Sequence, residues 1–503
     1  MSELLHDETG GAGTEGAGTG RGEAAAGAGA ENRVPGAPAA EGVPATEGAP
    51  AAEGVPATEG VPAAEGVPAA EGVPVAEGVP VAGDGGLAAR AAALDAADPL
   101  AKRRELFALD DGAVYLDGNS LGALPRHVPA RMARVIAHEW GELRIRSWSE
   151  SGWWTAPERI GDRIAPLVGA APGQVVVGDS TSVNVFKALV GAVRLADAYA
   201  DGGRDGAGVG AGAVRDEILV DATTFPTDGY IAESAARMTG RRLVPVAPRD
   251  VPDAVGPRTA AVLVNHVDYR TGRLHDLPGI TAAVRDAGAL AVWDLCHSAG
   301  ALPVDLDANG VDLAVGCTYK YLNGGPGAPA FLYVAERHQA RFDSPLPGWN
   351  SHADPFAMTP GYAAVDGARR GRVGTPDILS MLALESALDV WDGVAVGEVR
   401  AKSLALTDFF LECVRAYVPE GRLTCLTPAA HAERGSQVAL SCPDAPAVME
   451  RLIERGVVGD LRRPDVLRFG FTPLYVGYAD AERAARVLAE VCAEVSPEGS
   501  AAR

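Results

Sequence analysis

Short runs of apolar residues recur along the chain, and most are followed by a polar turn and a segment with helical spacing. Runs without polar alternation are typical of parallel strands covered on both faces by helices. This order of strands and helices predicts an α/β fold with a doubly wound, mostly parallel sheet. We predict strands over residues 174–177, 217–220, 260–264, 290–293 and 313–315, with helices up to about residue 193 and over 276–286.

The pattern changes after Val334, where an irregular polar passage leads into longer helical segments and fewer strands. This change predicts a second, smaller α+β domain at the C-terminal end. We place an N-terminal segment and the large domain in residues 86–345, and an interface segment with the smaller domain in residues 346–503. The predicted helices cover residues 129–140, 378–389, 398–414, 445–455 and 479–494, and the predicted strands include 437–440 and 466–475.

The first 85 residues have no core pattern. Between Glu41 and Ala82 a six-residue unit of the type EGVPAA repeats, after a stretch rich in Gly, Ala and Glu. A proline in every unit prevents a continuous helix or a central strand. We therefore expect residues 1–85 to form a disordered, acidic, low-complexity tail, with a spacer or partner-binding arm as the functional alternative.

Charge and cysteine content narrow the class of protein. The formal net charge is −22, with 66 acidic and 44 basic residues, which argues against nucleic-acid or anionic-membrane partners and favours a small-molecule substrate. The six cysteines form no CxxC pair and no metal-ligand spacing, which fits a reducing compartment. The absence of metal-ligand spacing predicts no metal site. Because no run of about 18 apolar residues and no secretion signal is found, we expect a cytoplasmic location.

Two predicted strands end in reactive side chains. Asp294 follows the strand 290–293, and Lys320 follows the strand 313–315 and precedes a glycine-rich segment at 323–327. A lysine at the end of a buried strand is easily desolvated and becomes a candidate Schiff-base nucleophile. An aspartate beside it could keep a pyridinium nitrogen protonated, as pyridoxal phosphate (PLP) chemistry requires. The alternatives are a turn or capping role for Asp294 and an ordinary solvated Lys320.

The other candidate site residues could each have a purely structural role instead. Thr181 and Ser182 start a helix, where they could face a phosphate or only cap the helix. His297 could be a buried histidine or could stack on a planar ring. Trp148 belongs to an aromatic segment that is core, subunit interface or substrate wall. Arg468 lies in an apolar strand, so it needs either an internal carboxylate or a substrate carboxylate.

Several ordered motifs from about Leu87 to Glu494 resemble kynureninase, a PLP-dependent family of the aspartate-aminotransferase fold (fold type I). Each motif alone is weak, and the ordered set is specific. The motifs are YLDGNSLGALP at Tyr115, GDSTSVN at Gly178, FPTD at Phe225, YRTG at Tyr269, WDLCHSAG at Trp293, TYKYLNGGPG at Thr318, GW at Gly348, GTPDILS at Gly374 and RFGFTPLY at Arg468.

The resemblance implies a role for each matching residue. Lys320 would bind the cofactor covalently, with Tyr319 and Asp294 as the other catalytic residues. Trp349 and Thr375 would come from the partner subunit of a homodimer, and Arg468 and Trp148 would bind the substrate. Asn265 stands where the family usually has Ser or Thr. The implied cofactor-binding residues are Thr181, Ser182, Phe225, Pro226, Thr227, Asp228, Asn265, Asp294, His297, Tyr319, Lys320, Trp349 and Thr375.

The implied activity is hydrolytic cleavage of L-kynurenine, and also of 3-hydroxykynurenine, to anthranilate or 3-hydroxyanthranilate and L-alanine. The residues around Trp148 and Thr375 look like the bacterial form of the family, which favours kynurenine. The pathway would be tryptophan degradation, the kynurenine pathway that leads to NAD biosynthesis. The alternatives are another fold type I enzyme, such as a cysteine desulfurase-like lyase, and a non-catalytic binding module.

Overall fold

The uninterrupted apolar runs form the centre of a seven-stranded sheet. The computed structural model describes residues 84–109, 112–202 and 215–495. The strand order is β2-β8-β7-β6-β5-β3-β4. The strands are β2 (Val175–Val177), β3 (Glu217–Asp221), β4 (Arg242–Val246), β5 (Thr259–Asn265), β6 (Leu290–Asp294), β7 (Leu313–Gly316) and β8 (Phe331–Val334).

The register of this sheet brings chemical groups to one edge. Strands β4, β3, β5, β6 and β7 are parallel, and Asp294 in β6 pairs directly with Asn265 in β5 and Val315 in β7. Strand β8 runs antiparallel to both β7 and β2. The predicted mostly parallel sheet is therefore confirmed, and the strand before Lys320 lies beside the strand that ends in Asp294.

Helices cover both faces of the sheet, and a second set packs around the C-terminal strands. The α-helices are α1 (Asp84–Ala97), α2 (Val128–Arg134), α3 (Ser147–Glu150), α4 (Ala156–Ile164), α5 (Thr181–Gly202), α6 (Pro226–Thr239), α7 (Val251–Ala254), α8 (Leu277–Asp286), α9 (Glu336–Gln339), α10 (Ile378–Ala387), α11 (Val396–Tyr417), α12 (Ala445–Glu454) and α13 (Tyr478–Glu494). None of the described helices is long and apolar enough to cross a membrane.

Short helical turns connect these elements. One π-helical segment, Val135–Leu143, continues α2. The 3-10 segments are Ala101–Leu106, Arg144–Arg146, Ala165–Val168, Pro248–Asp250, Trp349–Ser351, Ala368–Gly371, Leu388–Trp391 and His431–Glu433.

A four-stranded antiparallel sheet lies in the C-terminal part, in the order β12-β13-β10-β9. A two-stranded parallel ribbon, β1 with β11, links the N-terminal segment to the same part of the chain. These strands are β1 (Val114–Tyr115), β9 (Thr424–Cys425), β10 (Gln437–Ser441), β11 (Val457–Val458), β12 (Asp460–Arg462) and β13 (Val466–Gly470).

Several predicted elements need correction. The helix predicted over 129–140 is regular only as far as Arg134 and then widens into the π-helical segment. Helix α5 continues past residue 193 to Gly202, because no glycine pair or proline stops it earlier. Strands β4 and β8 and helix α6 were not predicted; β4 contains a proline and lies at the sheet edge. The predicted tail up to residue 83 lies outside the described residues, and the division at residue 345 stays a prediction.

Candidate active site

A pocket opens where the parallel strands end, at the edge that open α/β sheets use for ligands. It has a volume of about 580 Å³, which includes space open to solvent. Most of its walls come from the ends of β3, β5, β6 and β7 and from the start of α5. The lining residues are Thr181, Ser182, Phe225, Thr227, Asp228, Asn265, Val267, Tyr269, Asp294, Cys296, His297, Tyr319 and Lys320.

A tight turn after β7 presents Lys320 to this pocket. The backbone N–H of Asn323 donates to the Lys320 carbonyl at 2.9 Å, and the Gly122 N–H donates to the Tyr319 carbonyl at 2.7 Å. A Cβ on Gly122 would lie 2.3 Å from the Lys320 carbonyl oxygen, so only glycine allows this approach. The Lys320 amine itself has no hydrogen bond or ion pair within the described residues, and it lies 5.8 Å from the centre of the Tyr319 ring.

Two carboxyl groups and one amide form a buried cluster opposite the lysine. The Asn265 amide nitrogen donates to Asp294 Oδ2 at 2.8 Å and to Asp228 Oδ2 at 3.2 Å. The backbone N–H of Cys296 donates to the other Asp294 oxygen at 2.7 Å. Asn265, at the position where the sequence departs from the family pattern, therefore holds both carboxyl groups in place.

The surroundings of this cluster change the pKa of Asp228. Burial, and then the neighbouring Asp294 carboxylate, raise the pKa of Asp228 well above its ordinary value. A proton therefore stays on Asp228 over a wider pH range, which avoids two adjacent buried negative charges. Burial also raises the pKa of the Tyr319 phenol, with neighbouring thiols adding to the shift. Tyr319 therefore stays protonated at neutral pH.

Aromatic rings form the sides of the pocket. Phe225, the residue before α6, makes an edge contact with the Tyr269 ring, with centroids 5.2 Å apart. His297 is 7% exposed and lines the pocket. Burial, followed by the positive charge of Lys320, lowers the pKa of His297 well below its ordinary value, so the imidazole is neutral.

The start of α5 forms the remaining wall. Asp179 has a φ of +55°, which turns the chain sharply from β2 into the helix. The Ser180 hydroxyl accepts from the Val183 N–H at 3.3 Å and caps the helix. The first N–H groups of a 22-residue helix, beside the Thr181 and Ser182 hydroxyls, have no intrahelical acceptor and are suited to bind a phosphate.

Arg468 lies one residue layer behind the pocket. Its side chain is fully buried and pairs with Asp460, which stands directly opposite it in the β12–β13 register. The guanidinium also donates to the Ser120 hydroxyl at 3.2 Å and to the Tyr269 carbonyl. The internal carboxylate that the sequence required is therefore present, and a substrate carboxylate would have to share this arginine with Asp460.

Four other predicted site residues do not line this pocket within one chain. Trp148 packs edge-on against Trp153, Trp154 and Trp349, with ring centroids 6.1 to 6.5 Å apart. Thr375 is exposed, and Pro226 is an exposed residue in the first turn of α6. The aromatic group of Trp148 and Trp349 therefore forms a separate cluster in the single chain.

The assembled groups match the needs of PLP. The unpartnered Lys320 amine could bind an aldehyde, Asp294 could pair with a pyridinium nitrogen, and the start of α5 could hold the phosphate. Phe225 and His297 supply flat rings at the side of the pocket. The described residues contain no group of three or more His, Cys, Asp or Glu side chains suited to hold a metal ion.

Three lining residues were missed by the sequence reasoning. Val267 and Tyr269 follow β5, and the strand end before them was the available signal. Cys296 follows Asp294, and its sulfur accepts from the Cys317 N–H at 3.2 Å. All six cysteines are free thiols. Gln437, which contacts His297 from the four-stranded sheet, gave no local signal at all.

Comparisons with known proteins agree on one family. A family model described as the kynureninase C-terminal domain matches residues 399–488. A kynureninase from Deinococcus radiodurans is 51% identical over 417 residues, which cover 81% of this chain and 97% of the relative. A kynureninase from Burkholderia pseudomallei is 48% identical over 405 residues, which cover 80% of this chain and 94% of the relative.

Solved structures with the same architecture are more distant. A cysteine desulfurase from Thermococcus onnurineus has a TM-score of 0.64 at 18% identity, covering 78% of this chain and 98% of its own. A C-DES variant with glycine covalently linked to its PLP cofactor has a TM-score of 0.64 at 18% identity, covering 76% and 98%. At this identity the likeness shows the fold alone, and it confirms the predicted fold type I architecture.

Proposed function

The chain belongs to the kynureninase family, and we propose that it is a PLP-dependent hydrolase that cleaves the Cβ–Cγ bond of L-kynurenine. Water is consumed, and anthranilate and L-alanine are released. 3-Hydroxykynurenine is a second substrate and gives 3-hydroxyanthranilate. The structural observation that carries the proposal is the unpartnered Lys320 amine beside the hydrogen-bonded Asp294.

The cofactor site is built on the carboxyl edge of the seven-stranded sheet. When bound, PLP supplies an electron sink that stabilises negative charge on substrate carbon. We assign covalent attachment to Lys320, pairing with the pyridine nitrogen to Asp294, and phosphate binding to Thr181 and Ser182. The remaining contacts are assigned to Phe225, Pro226, Thr227, Asp228, Asn265, His297 and Tyr319.

The chain's own groups would move the protons. Lys320 is the base for the substrate α-proton, because its amine has no other partner within the described residues. Tyr319 is the proton donor, because its protonated phenol lines the pocket beside Lys320. Asp294 is the partner of the pyridine nitrogen, and the Asn265 amide donates to its Oδ2 at 2.8 Å and so holds it in place.

Arg468 is proposed to bind the substrate α-carboxylate. A guanidinium has five donors, and Asp460, Ser120 and the Tyr269 carbonyl do not use all of them. The buried Nε of Arg468 has no hydrogen-bond partner within the described residues. Asp460 would thus hold the arginine in place while a carboxylate approaches from the Tyr269 side.

The homodimer belongs to the same proposal. Trp349 and Thr375 do not line the pocket of their own chain, which agrees with their assignment to the partner's site. Trp148, which contacts Trp349, is assigned to the substrate-binding wall. We place the enzyme in the cytoplasm and in tryptophan degradation, where it would also supply precursors for NAD biosynthesis.

The direct test is a visible spectrum of the purified protein, followed by addition of L-kynurenine with anthranilate fluorescence as the readout. We expect yellow absorbance and anthranilate released with an equal amount of alanine. L-Cysteine serves as the matched control substrate and should give no sulfide. Yellow absorbance without anthranilate would contradict the proposed reaction and leave the cofactor assignment standing.

The shared site can be tested with mixed dimers. Each proposed site takes Lys320 from one chain and Trp349 from the other, so in a heterodimer of Lys320→Ala and Trp349→Ala both defects fall in one site and the other site is intact. After the inactive variants are unfolded and refolded together, we expect up to about a quarter of wild-type activity. Lys320→Ala mixed with an Arg468 variant is the control. Each of these defects inactivates the site of its own chain, so this heterodimer has no intact site. Equal recovery in the two mixtures would contradict the partner role of Trp349.

A further inference from the structure

Gln437 connects three separate parts of the chain beside the pocket. It is the first residue of β10, and it is 1% exposed. Its Oε1 lies 3.0 Å from His297 Nδ1 and 3.2 Å from Asn119 Nδ2, and its Nε2 lies 3.0 Å from the Tyr269 carbonyl oxygen. A single buried amide therefore joins the four-stranded sheet to the N-terminal segment and to the pocket wall.

The orientation of this amide follows from its partners. A backbone carbonyl can only accept a hydrogen bond, so the NH₂ group of Gln437 must face Tyr269. Its oxygen then faces His297, and an oxygen can only accept. The hydrogen in the second bond is consequently on His297 Nδ1, which fixes the tautomer of this histidine.

The other ring nitrogen of His297 is left as an acceptor. Burial is the main cause that lowers the pKa of His297 and keeps the imidazole neutral, and the charges of Lys320, Arg468 and Arg462 act in the same direction. In a neutral imidazole that carries its hydrogen on Nδ1, Nε2 has a free lone pair. Nε2 has no hydrogen-bond partner within the described residues, and it lies on the side of the ring opposite Gln437.

We propose that Gln437 is a positioning residue for the reaction: it selects the Nδ1–H tautomer of His297 and so presents an unprotonated Nε2 to the cofactor. The proposal rests on the proposed function, because it requires PLP in this pocket. Gln437 belongs to the four-stranded sheet, so the proposal extends the site beyond the residues at the edge of the seven-stranded sheet. Gln437 acts only through His297.

Two variants of the loaded enzyme test this role. In Gln437→Glu, a carboxylate stabilises the imidazolium, so Nε2 becomes a donor in place of an acceptor. We expect the midpoint of the pH titration of visible absorbance to move down by about one unit, because a donor stabilises the deprotonated cofactor. We also expect kcat to fall about 10-fold, with KM for L-kynurenine within about twofold.

In Gln437→Leu, we expect PLP to bind about 10-fold more weakly, measured by fluorescence titration after cofactor removal.

Gln174→Leu is the matched control for a structural effect. Gln174 is also buried and bonds through both amide atoms, to Asp307 at 2.7 and 2.8 Å and to the Glu336 N–H at 2.7 Å, but it lies outside the pocket. This variant should lower Tm without moving the absorbance titration or the dissociation constant of PLP.

Gln437→Glu with the wild-type titration midpoint, or Gln437→Leu with the wild-type dissociation constant, would overturn the proposal. Both readouts work even if L-kynurenine is not the substrate. Failure of the proposed function, which is PLP binding without anthranilate release, is therefore distinguishable from failure of the role of Gln437.

Discussion

Lys320 and Lys402 show two ways of placing a lysine inside this protein. Lys402, in α11, forms an ion pair with Asp98 at 2.7 Å and donates to the Pro473 carbonyl at 2.5 Å. Lys187 is similarly paired with Asp179 at 2.7 Å. Lys320 has no such partner within the described residues, although it is half-buried. A structural lysine has its ammonium satisfied by the chain, whereas a lysine that must react is left free for its ligand.

The buried arginines Arg468 and Arg434 offer a second contrast. Both are nearly inaccessible to solvent and both pair with an aspartate. Asp408, the partner of Arg434, has a side chain that is 48% exposed, whereas the side chain of Asp460 is 15% exposed. Only Arg468 also bonds a carbonyl of a pocket residue, Tyr269. The same residue type therefore supports the fold in one place and, in the other, contacts the wall of the pocket that we propose binds the substrate.

The largest expected effect comes from removing the unpaired lysine. Lys320→Ala should lose the absorbance of lysine-bound cofactor and at least about 10³-fold in kcat, because the covalent attachment and the base are both lost. Lys402→Met is the control. It leaves Asp98 buried and uncompensated, so we expect a loss of about 3 to 5 kcal/mol in the free energy of unfolding, with normal absorbance in the folded protein. Normal turnover in Lys320→Ala would refute the assignment.

A smaller effect is expected when the two buried arginines, Arg468 and Arg434, are each replaced by lysine. Arg468→Lys should raise KM for L-kynurenine about 100-fold, because a lysine cannot fork onto a carboxylate and hold Asp460 at the same time. Arg434→Lys should lower stability and leave KM within about twofold. Steady-state kinetics with both variants make the comparison. An unchanged KM in Arg468→Lys would mean that Arg468 serves only its ion pair with Asp460.

The smallest expected effect concerns Asp117, which lies near the Arg468 cluster. Burial, with a smaller contribution from Asp460, raises the pKa of Asp117 from 3.8 to about 6. The folded protein therefore binds this proton more tightly than the unfolded chain, and stability falls by about 2 kcal/mol as pH rises from about 4 to 6. Asp117→Asn should lack this part of the pH dependence. Urea unfolding at several pH values measures the difference, and parallel curves for the two proteins would contradict the expectation.

The sheet and its reactive edge were readable from the sequence because they follow from local patterns. Apolar runs predicted β5, β6 and β7, which are parallel neighbours in the sheet. Parallel neighbouring strands end at the same edge of a sheet, so Asp294 and Lys320 were expected to lie close together. The partner of Arg468 could not be read in this way. Asp460 is only eight residues away, but it becomes a neighbour through the short strand β12, which has no clear apolar run. Gln437 reaches His297 only after two sheets have packed together.

The measurement that tests the central claim most directly is borohydride reduction of the loaded protein, followed by mass spectrometry of its peptides. Reduction makes the bond between cofactor and amine permanent, and the sequence contains only four lysines, at positions 102, 187, 320 and 402. We predict one reduced cofactor per chain, on the peptide that contains Lys320. A cofactor on another lysine or on the N-terminal amine, or no modification of a yellow protein, would contradict the account.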